Sequence, residues 1–227
     1  MLMEKLVPIL LCTVFIFIAY LLAKLTLKIN ALIIKKKVFS RGRGSSEAIT
    51  LLLSAELGES HVISGRYLPL TEDGGKTYIR ADNIAVLPGG VVFIRVKTLS
   101  GYISSNDGYV WHQSLRLKTG EIREQDFPSP IYENQRSIAA AAELFSRAHI
   151  PCPPIYGLVI FSSNNVNFSA PQKEVCSLRD GLERLSEISK KKKLTHKERL
   201  IILRTVRRYS AKSADIRAYN KKHGINR

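Results

Sequence analysis

Cysteine is scarce in this chain, and what there is does not pair. Only 3 of 227 residues are Cys: Cys12 lies in an apolar run, and Cys152 and Cys176 stand far apart with no C-x-x-C spacing. That excludes a disulfide scaffold and a thiolate zinc site, and it suits a reducing compartment. The 5 His form neither H-x-x-x-H nor H-x-H pairs, so no helical imidazole metal site is encoded. There is no G-x-S-x-G elbow and no acidic cluster with calcium-loop spacing. The Gly pair at 42 and 44 lacks the Lys-Ser/Thr of a phosphate loop and follows no strand. With 14 Gly and 9 Pro against 45% hydrophobic residues, the chain is neither collagen-like nor wholly disordered.

Anions are also in short supply, and their shortage is local. Lys and Arg total 35 against 19 Asp and Glu. Residues 1–23 balance Glu4 with Lys5, and residues 44–178 carry 11 cations and 13 anions. The excess therefore sits on two flanks: residues 24–43, with 7 cations and no anion, and residues 179–227, with 16 cations and 5 anions.

Leu6 to Ala23 contains no charge over 18 residues. As a helix it spans about 27 Å, close to the hydrocarbon thickness of a bilayer. A cleaved signal peptide would have a basic start, a shorter apolar stretch and a small-x-small site, none of which is present. The expectation is a transmembrane helix over residues 6–25 after a short extracytoplasmic terminus, residues 1–5. One cation precedes the uncharged stretch Leu6–Ala23 and seven follow it within 20 residues, so the long C-terminal part is expected on the cytoplasmic side of the inner membrane, single-pass. The same cluster can rest on anionic lipid headgroups.

Residues 26–43 read as a basic juxtamembrane linker. Ser46–Leu57 has helical spacing, with Gly58 as a candidate C-cap. Strand-like runs follow: His61–Leu68, then Tyr78–Leu87 after a turn at Asp73–Gly75, then Val91–Thr98 after the Pro88-Gly89-Gly90 turn. Gly101–Ser105 and Tyr109–Lys118 continue the meander. Pro130–His149 reads as a helix and Ile155–Phe161 as a strand buried on both faces. Glu174–Cys176 reads as a last strand before a helix capped by Ser177. Thr195-x-x-Glu198 is a capping box opening a basic helix. The domain is expected over residues 44–189, with a basic, partly helical tail over 190–227. The fold class is α/β, in layers.

One constellation carries chemistry. Asp82 lies in one strand of the hairpin and Lys97 closes the other, so their side chains can be near neighbours. A carboxylate that holds a divalent ion beside an ammonium that steadies phosphorane charge is what phosphodiester hydrolysis requires. An ordinary cross-strand ion pair needs the same spacing.

The order and punctuation of residues 42–162 resemble the nuclease-related domain (NERD) family, which is itself similar to the PD-(D/E)xK nucleases. The resemblance is carried by Gly42-Arg43-Gly44-Ser45-Ser46-Glu47, the strand Ile79–Leu87 with Asp82, and Pro88–Thr98 with Arg95-Val96-Lys97. It continues through Ser100–Ile103, Trp111, Ser129–Gln135 as a match to the family's N-P-x-x-Q element, and Tyr156–Phe161. It implies a mixed central sheet flanked by helices, with Glu47, Asp82, Lys97 and Gln135 in the active site. Glu47 and Asp82 would hold Mg²⁺ or Mn²⁺, and the partner would be nucleic acid, DNA in the first instance. Two positions depart from the pattern: Arg95 stands where Glu-x-Lys has its carboxylate, and Asn83 follows Asp82 where the family has His. A unit charge about 5 Å from a divalent ion at an effective dielectric of about 20 is worth roughly 7 kcal/mol, so exchanging attraction for repulsion weakens the metal site.

Three readings follow. The first is a membrane-tethered, metal-dependent nuclease. The second is a degenerate relative in which Arg95 and Lys97 hold a phosphate without turnover. The third is an interaction module whose basic flanks touch only lipid. The C-terminal flank suits non-specific binding to nucleic acid or to the inner leaflet.

Overall fold

The computed structural model describes residues 2–41, 46–57, 61–72, 75–105, 108–170 and 172–212, with 214, 216, 217 and 221 beyond. Helix α1, Leu2–Arg41, is one rod of 40 residues. Its segment Leu11–Asn30 has a mean hydropathy of 1.9 and buries none of its described side chains, so by length and composition it can cross a membrane. The stretch that reads as a linker from residue 26 continues this helix as far as Arg41, because no Pro or Gly interrupts residues 26–41. Residues 42–45, Gly58 and Asp73, used above for the Gly-x-Gly element, a helix cap and a turn, lie outside the described residues.

Two sheets form the body. The first contains β1 (Val62–Glu72), β2 (Gly75–Leu87), β3 (Gly90–Lys97), β7 (Ile155–Phe161), β9 (Val175–Ser177) and β10 (Ala211–Lys212), in the order β10-β1-β2-β3-β7-β9. Its β1, β2 and β3 pair antiparallel, whereas β3, β7 and β9 run parallel. The crossover from β3 to β7 carries helix α3, Pro130–Arg147, capped by Ser129, whose hydroxyl accepts from the Tyr132 amide. Such a crossover covers the sheet, and β3 is accordingly buried from Gly90 to Val96.

Helices cover both faces. On one, α2 (Ser46–Leu57) and α4 (Leu178–Lys190) set Ile49, Leu52, Leu53 and Leu185 against Ala85, Val92, Ile94 and Ile160. On the other, α3 and α5 (His196–Tyr209) set Leu144, Phe145, Ile202, Leu203 and Val206 against Ile63, Leu68, Ile84 and Phe93. The basic stretch that reads as a tail thus contains a helix seated in the core. The Thr195–Glu198 capping box is present on α5, and Ser177 caps α4.

The expected meander divides after Lys97. Strands β4 (Gly101–Ser104) and β5 (Val110–Arg116) join β6 (Ile122–Pro128) and β8 (Val166–Phe168) in a second, four-stranded sheet, order β6-β5-β4-β8. The break is at Gly101, with φ +89°, where a Cβ would stand 2.5 Å from the Ser114 carbonyl oxygen. Only Gly lets the chain leave one sheet and enter the other there. This second sheet closes on the first through Ile103, Trp111, Val159 and Phe161.

Candidate functional site

The site forms where β2 and β3 part. Their ladder runs from Leu87 opposite Gly90 to Asn83 opposite Ile94 and then stops. Asp82 and Arg95 are the first residues past its end. The pleat of β1 and β2 is also broken here: Ser64 pairs with Asn83 and Arg66 with Ala81, but Gly65 and Asp82 do not pair. Ala81 and Ile84 consequently reach the same core cluster, which strict alternation forbids. Gly65, at φ +60°, provides the left-handed residue that this irregularity requires.

Asp82 is mostly buried and meets two guanidinium groups: Arg80 Nε is 3.2 Å from Oδ1, and Arg95 Nη1 is 3.8 Å from Oδ2. Arg95 is 7% exposed. Its Nη2 donates to the Arg80 carbonyl at 2.8 Å and its Nη1 to Glu133 Oε2 at 3.3 Å. Lys97 Nζ donates to the same Glu133 oxygen at 3.1 Å and lies 5.8 Å from the centre of the Phe127 ring. Arg80, Asp82, Arg95, Glu133 and Lys97 therefore form one continuous alternation of charge. At an effective dielectric of about 20, each contact between 3 and 4 Å is worth about 4–5 kcal/mol of Coulomb attraction before desolvation. That is enough to hold a buried guanidinium in place where a lone one would be expelled.

Glu47 lies on the first turn of α2. It lines an open cavity of about 630 Å³ together with Thr50, Ser54, Ser64, Arg80 and Asp82. Asn83, 1% exposed, accepts from Thr50 Oγ1 at 3.0 Å and Ser64 Oγ at 2.9 Å, and so ties α2 and β1 behind the cavity.

The structure thus brings Asp82, Arg95 and Lys97 into one network and sets Glu47 beside Asp82 on one cavity. Gln135 is exposed on α3. Two residues past Glu133, it is turned about 200° round the helix from it. The neighbouring Asn134 is buried and donates to the Phe93 carbonyl at 3.0 Å. The residue that sequence reasoning missed is Glu133, the carboxylate that joins Arg95 to Lys97. A signal was available: with Pro130 as its second position, N-P-x-x-Q places its last residue at Glu133 and not at Gln135. An acidic residue in the first turn of a helix also reads as a complement to the helix dipole, and the packing of α3 over β3 shows the second role.

A divalent ion does not fit these residues as they stand. Mg²⁺ and Mn²⁺ take oxygen ligands in octahedral sets. Among the described residues, no group of three or more His, Cys, Asp or Glu could hold a metal ion. Both Asp82 oxygens face guanidinium groups. An ion about 4 Å from the Arg95 guanidinium would be repelled by about 8 kcal/mol at an effective dielectric of about 20. A carboxylate in that place would attract it by as much.

A family model described as the nuclease-related domain matches residues 41–162. The match opens just before α2 and closes at the end of β7, so it contains every residue of this network. No curated protein and no solved structure matches the chain.

Proposed function

The chain belongs to the nuclease-related domain family, and on that premise we propose that it is a membrane-anchored protein that binds nucleic-acid phosphates without metal-dependent cutting. The family supports a nuclease-like role with nucleic acid as partner. The observation that carries the finer reading is Arg95, buried and bonded at once to Asp82, Glu133 and the Arg80 carbonyl. A guanidinium there does for the two carboxylates what a divalent ion would otherwise do. It bridges them with one positive charge, and Arg80 and Lys97 supply the remaining cations.

Binding would proceed by exchange of anions. Arg80 has the exposed head of the network, with 60% of its side chain open, and Lys97 is 21% open. A phosphodiester reaching them competes with Asp82 and Glu133 for the same donors, and the planar guanidinium fork suits its oxygens. Because the carboxylates compete with the ligand, neutralising one should strengthen binding. The assignment of DNA as the nucleic acid rests on the family. The placement of the domain at the cytoplasmic face of the inner membrane rests on α1 and the 7 cations between residues 24 and 43.

The test is incubation of the full chain in zwitterionic micelles with plasmid and Mg²⁺ or Mn²⁺, with EDTA and Asp82→Ala as controls, beside a gel-shift series in salt. The expected result is intact plasmid and salt-sensitive binding, with Glu133→Gln binding more tightly than the parent. Cutting that needs both metal and Asp82 would overturn this reading in favour of hydrolysis, with Glu47 and Asp82 as the metal carboxylates. Neither cutting nor binding would leave an interaction module.

A further inference from the structure

The outer face of α5 is not used by the site. Ile202, Leu203, Thr205 and Val206 are buried, so the helix cannot turn about its axis and presents one fixed side to solvent. That side carries Lys197, Ile201, Arg204 and Arg208 in a line at helical spacing, flanked by Leu200 and Arg207, all exposed. Leu200 is 37% and Ile201 40% exposed. The only acidic residue of α5, Glu198, is taken up by its cap: its carboxylate accepts from the Thr195 amide and hydroxyl, each at 2.7 Å. The run Lys190–Lys193, exposed throughout, leads into the helix. Residues 190–212 hold 10 cations and 1 anion, beside a domain that is slightly acidic.

We propose that this face of α5 lies flat on an anionic bilayer, with Leu200 and Ile201 entering the headgroup boundary and Lys197, Arg204, Arg207 and Arg208 among lipid phosphates. Cations interleaved with exposed aliphatic residues on one helical face are the pattern of an interfacial helix. Each Lys or Arg near an anionic surface adds about five-fold to affinity. Nucleic acid would satisfy the cations but leave Leu200 and Ile201 in water. The one aromatic residue of α5, Tyr209 at its last position, has the Arg208 guanidinium 5.6 Å from its ring centre, so the helix has no series of aromatic residues for stacking successive bases. The inference uses the reading of α1 as a membrane anchor, because tethering raises the effective concentration of the surface under the domain. A docked α5 would hold the domain in one orientation on the membrane.

The experiment uses the full chain with Ile201→Cys, in a background of Cys12→Ser and Cys152→Ser, carrying a nitroxide label. Cys176 stays in place: it is buried, and burial pushes its thiol up to about 11, out of range of labelling. In nanodiscs with phosphatidylglycerol, the label should become accessible to oxygen and shielded from a water-soluble nickel complex. In phosphatidylcholine alone, or in the same anionic discs at high salt, it should behave as in water. Lys197→Glu with Arg204→Glu and Arg208→Glu should abolish the shielding, while Trp111 fluorescence reports an unchanged fold. Water-like accessibility in both lipids would overturn the proposal. So would shielding that appears only on adding duplex DNA. Failure of the anchor is read separately, as loss of the full chain from vesicles under alkaline carbonate. The labelled protein added to anionic vesicles still tests α5 in that case.

Discussion

Two basic regions of this molecule use arginine in opposite ways. At the fork between β2 and β3, Arg95 is buried and every contact it makes is with a fixed protein oxygen: Asp82, Glu133 and the Arg80 carbonyl. On α5, Arg204, Arg207 and Arg208 are exposed, and the one acidic residue of that helix is engaged by its N-cap. The fork lies inside the segment that matches the nuclease-related domain, and α5 lies beyond it. The difference shows that formal charge says little until partners are known. Buried and paired, Arg95 is part of the fold and bridges two carboxylates; exposed, the cations of α5 are available to whatever anionic surface they meet.

The comparison is tested hardest by removing Arg95. Arg95→Met leaves Asp82 and Glu133 without their shared cation, and loss of one member of such a buried network costs about 3–5 kcal/mol. The urea midpoint of the full chain in zwitterionic micelles, followed by Trp111 fluorescence, should fall accordingly. Next in size is Ile202→Ala on the inner side of α5. At 2% exposure the lost packing should cost about 3 kcal/mol, whereas a loose tail would give no change. Thr195→Ala removes the capping box and should cost about 1 kcal/mol in the same assay.

A pH effect is expected to be smaller. Partial burial, and then the neighbouring Arg199, hold the His61 imidazole below its ordinary 6.5; Arg199 Nη1 lies 3.2 Å from its Nε2. Its contribution is complete above pH 6.5 and is lost as pH falls through that value toward the lowered folded one, because the unfolded chain takes up the proton first. His61→Asn should flatten the stability profile below pH 6.5. Smallest of all, Arg204→Met with Arg208→Met should leave the midpoint within about 0.5 kcal/mol of the parent. The same change from Arg to Met would then be severe at the fork and neutral on α5.

Much of this was legible in the residues. The Pro88-Gly89-Gly90 turn pairs β2 with β3 and thereby brings Asp82 toward Lys97, and the unbroken apolar run Ile155–Phe161 is a strand buried on both sides. What was not legible depended on contacts distant in sequence. Strand β6 (Ile122–Pro128) is exposed along most of its length and has no apolar alternation, so only pairing with β5 makes it a strand. For Arg95 the residues alone left two roles, repelling a metal ion or holding a phosphate with Lys97, because its partners are distant in sequence. Glu133, 38 residues from Arg95 in the chain, becomes its partner once α3 is laid over β3. On α5 the signal was present: Ile202, Leu203 and Val206 have core spacing, but the surrounding cations masked it.

The central claim is that the Arg95 guanidinium takes the place of a metal ion between carboxylates. The most direct measurement is Mn²⁺ binding, followed by the loss of the free-ion resonance on titration with the full chain in zwitterionic micelles. The parent protein should leave the resonance intact, and Arg95→Glu, which returns a carboxylate to the fork, should bind Mn²⁺ stoichiometrically. Stoichiometric binding by the parent, abolished by Asp82→Ala, would contradict the account.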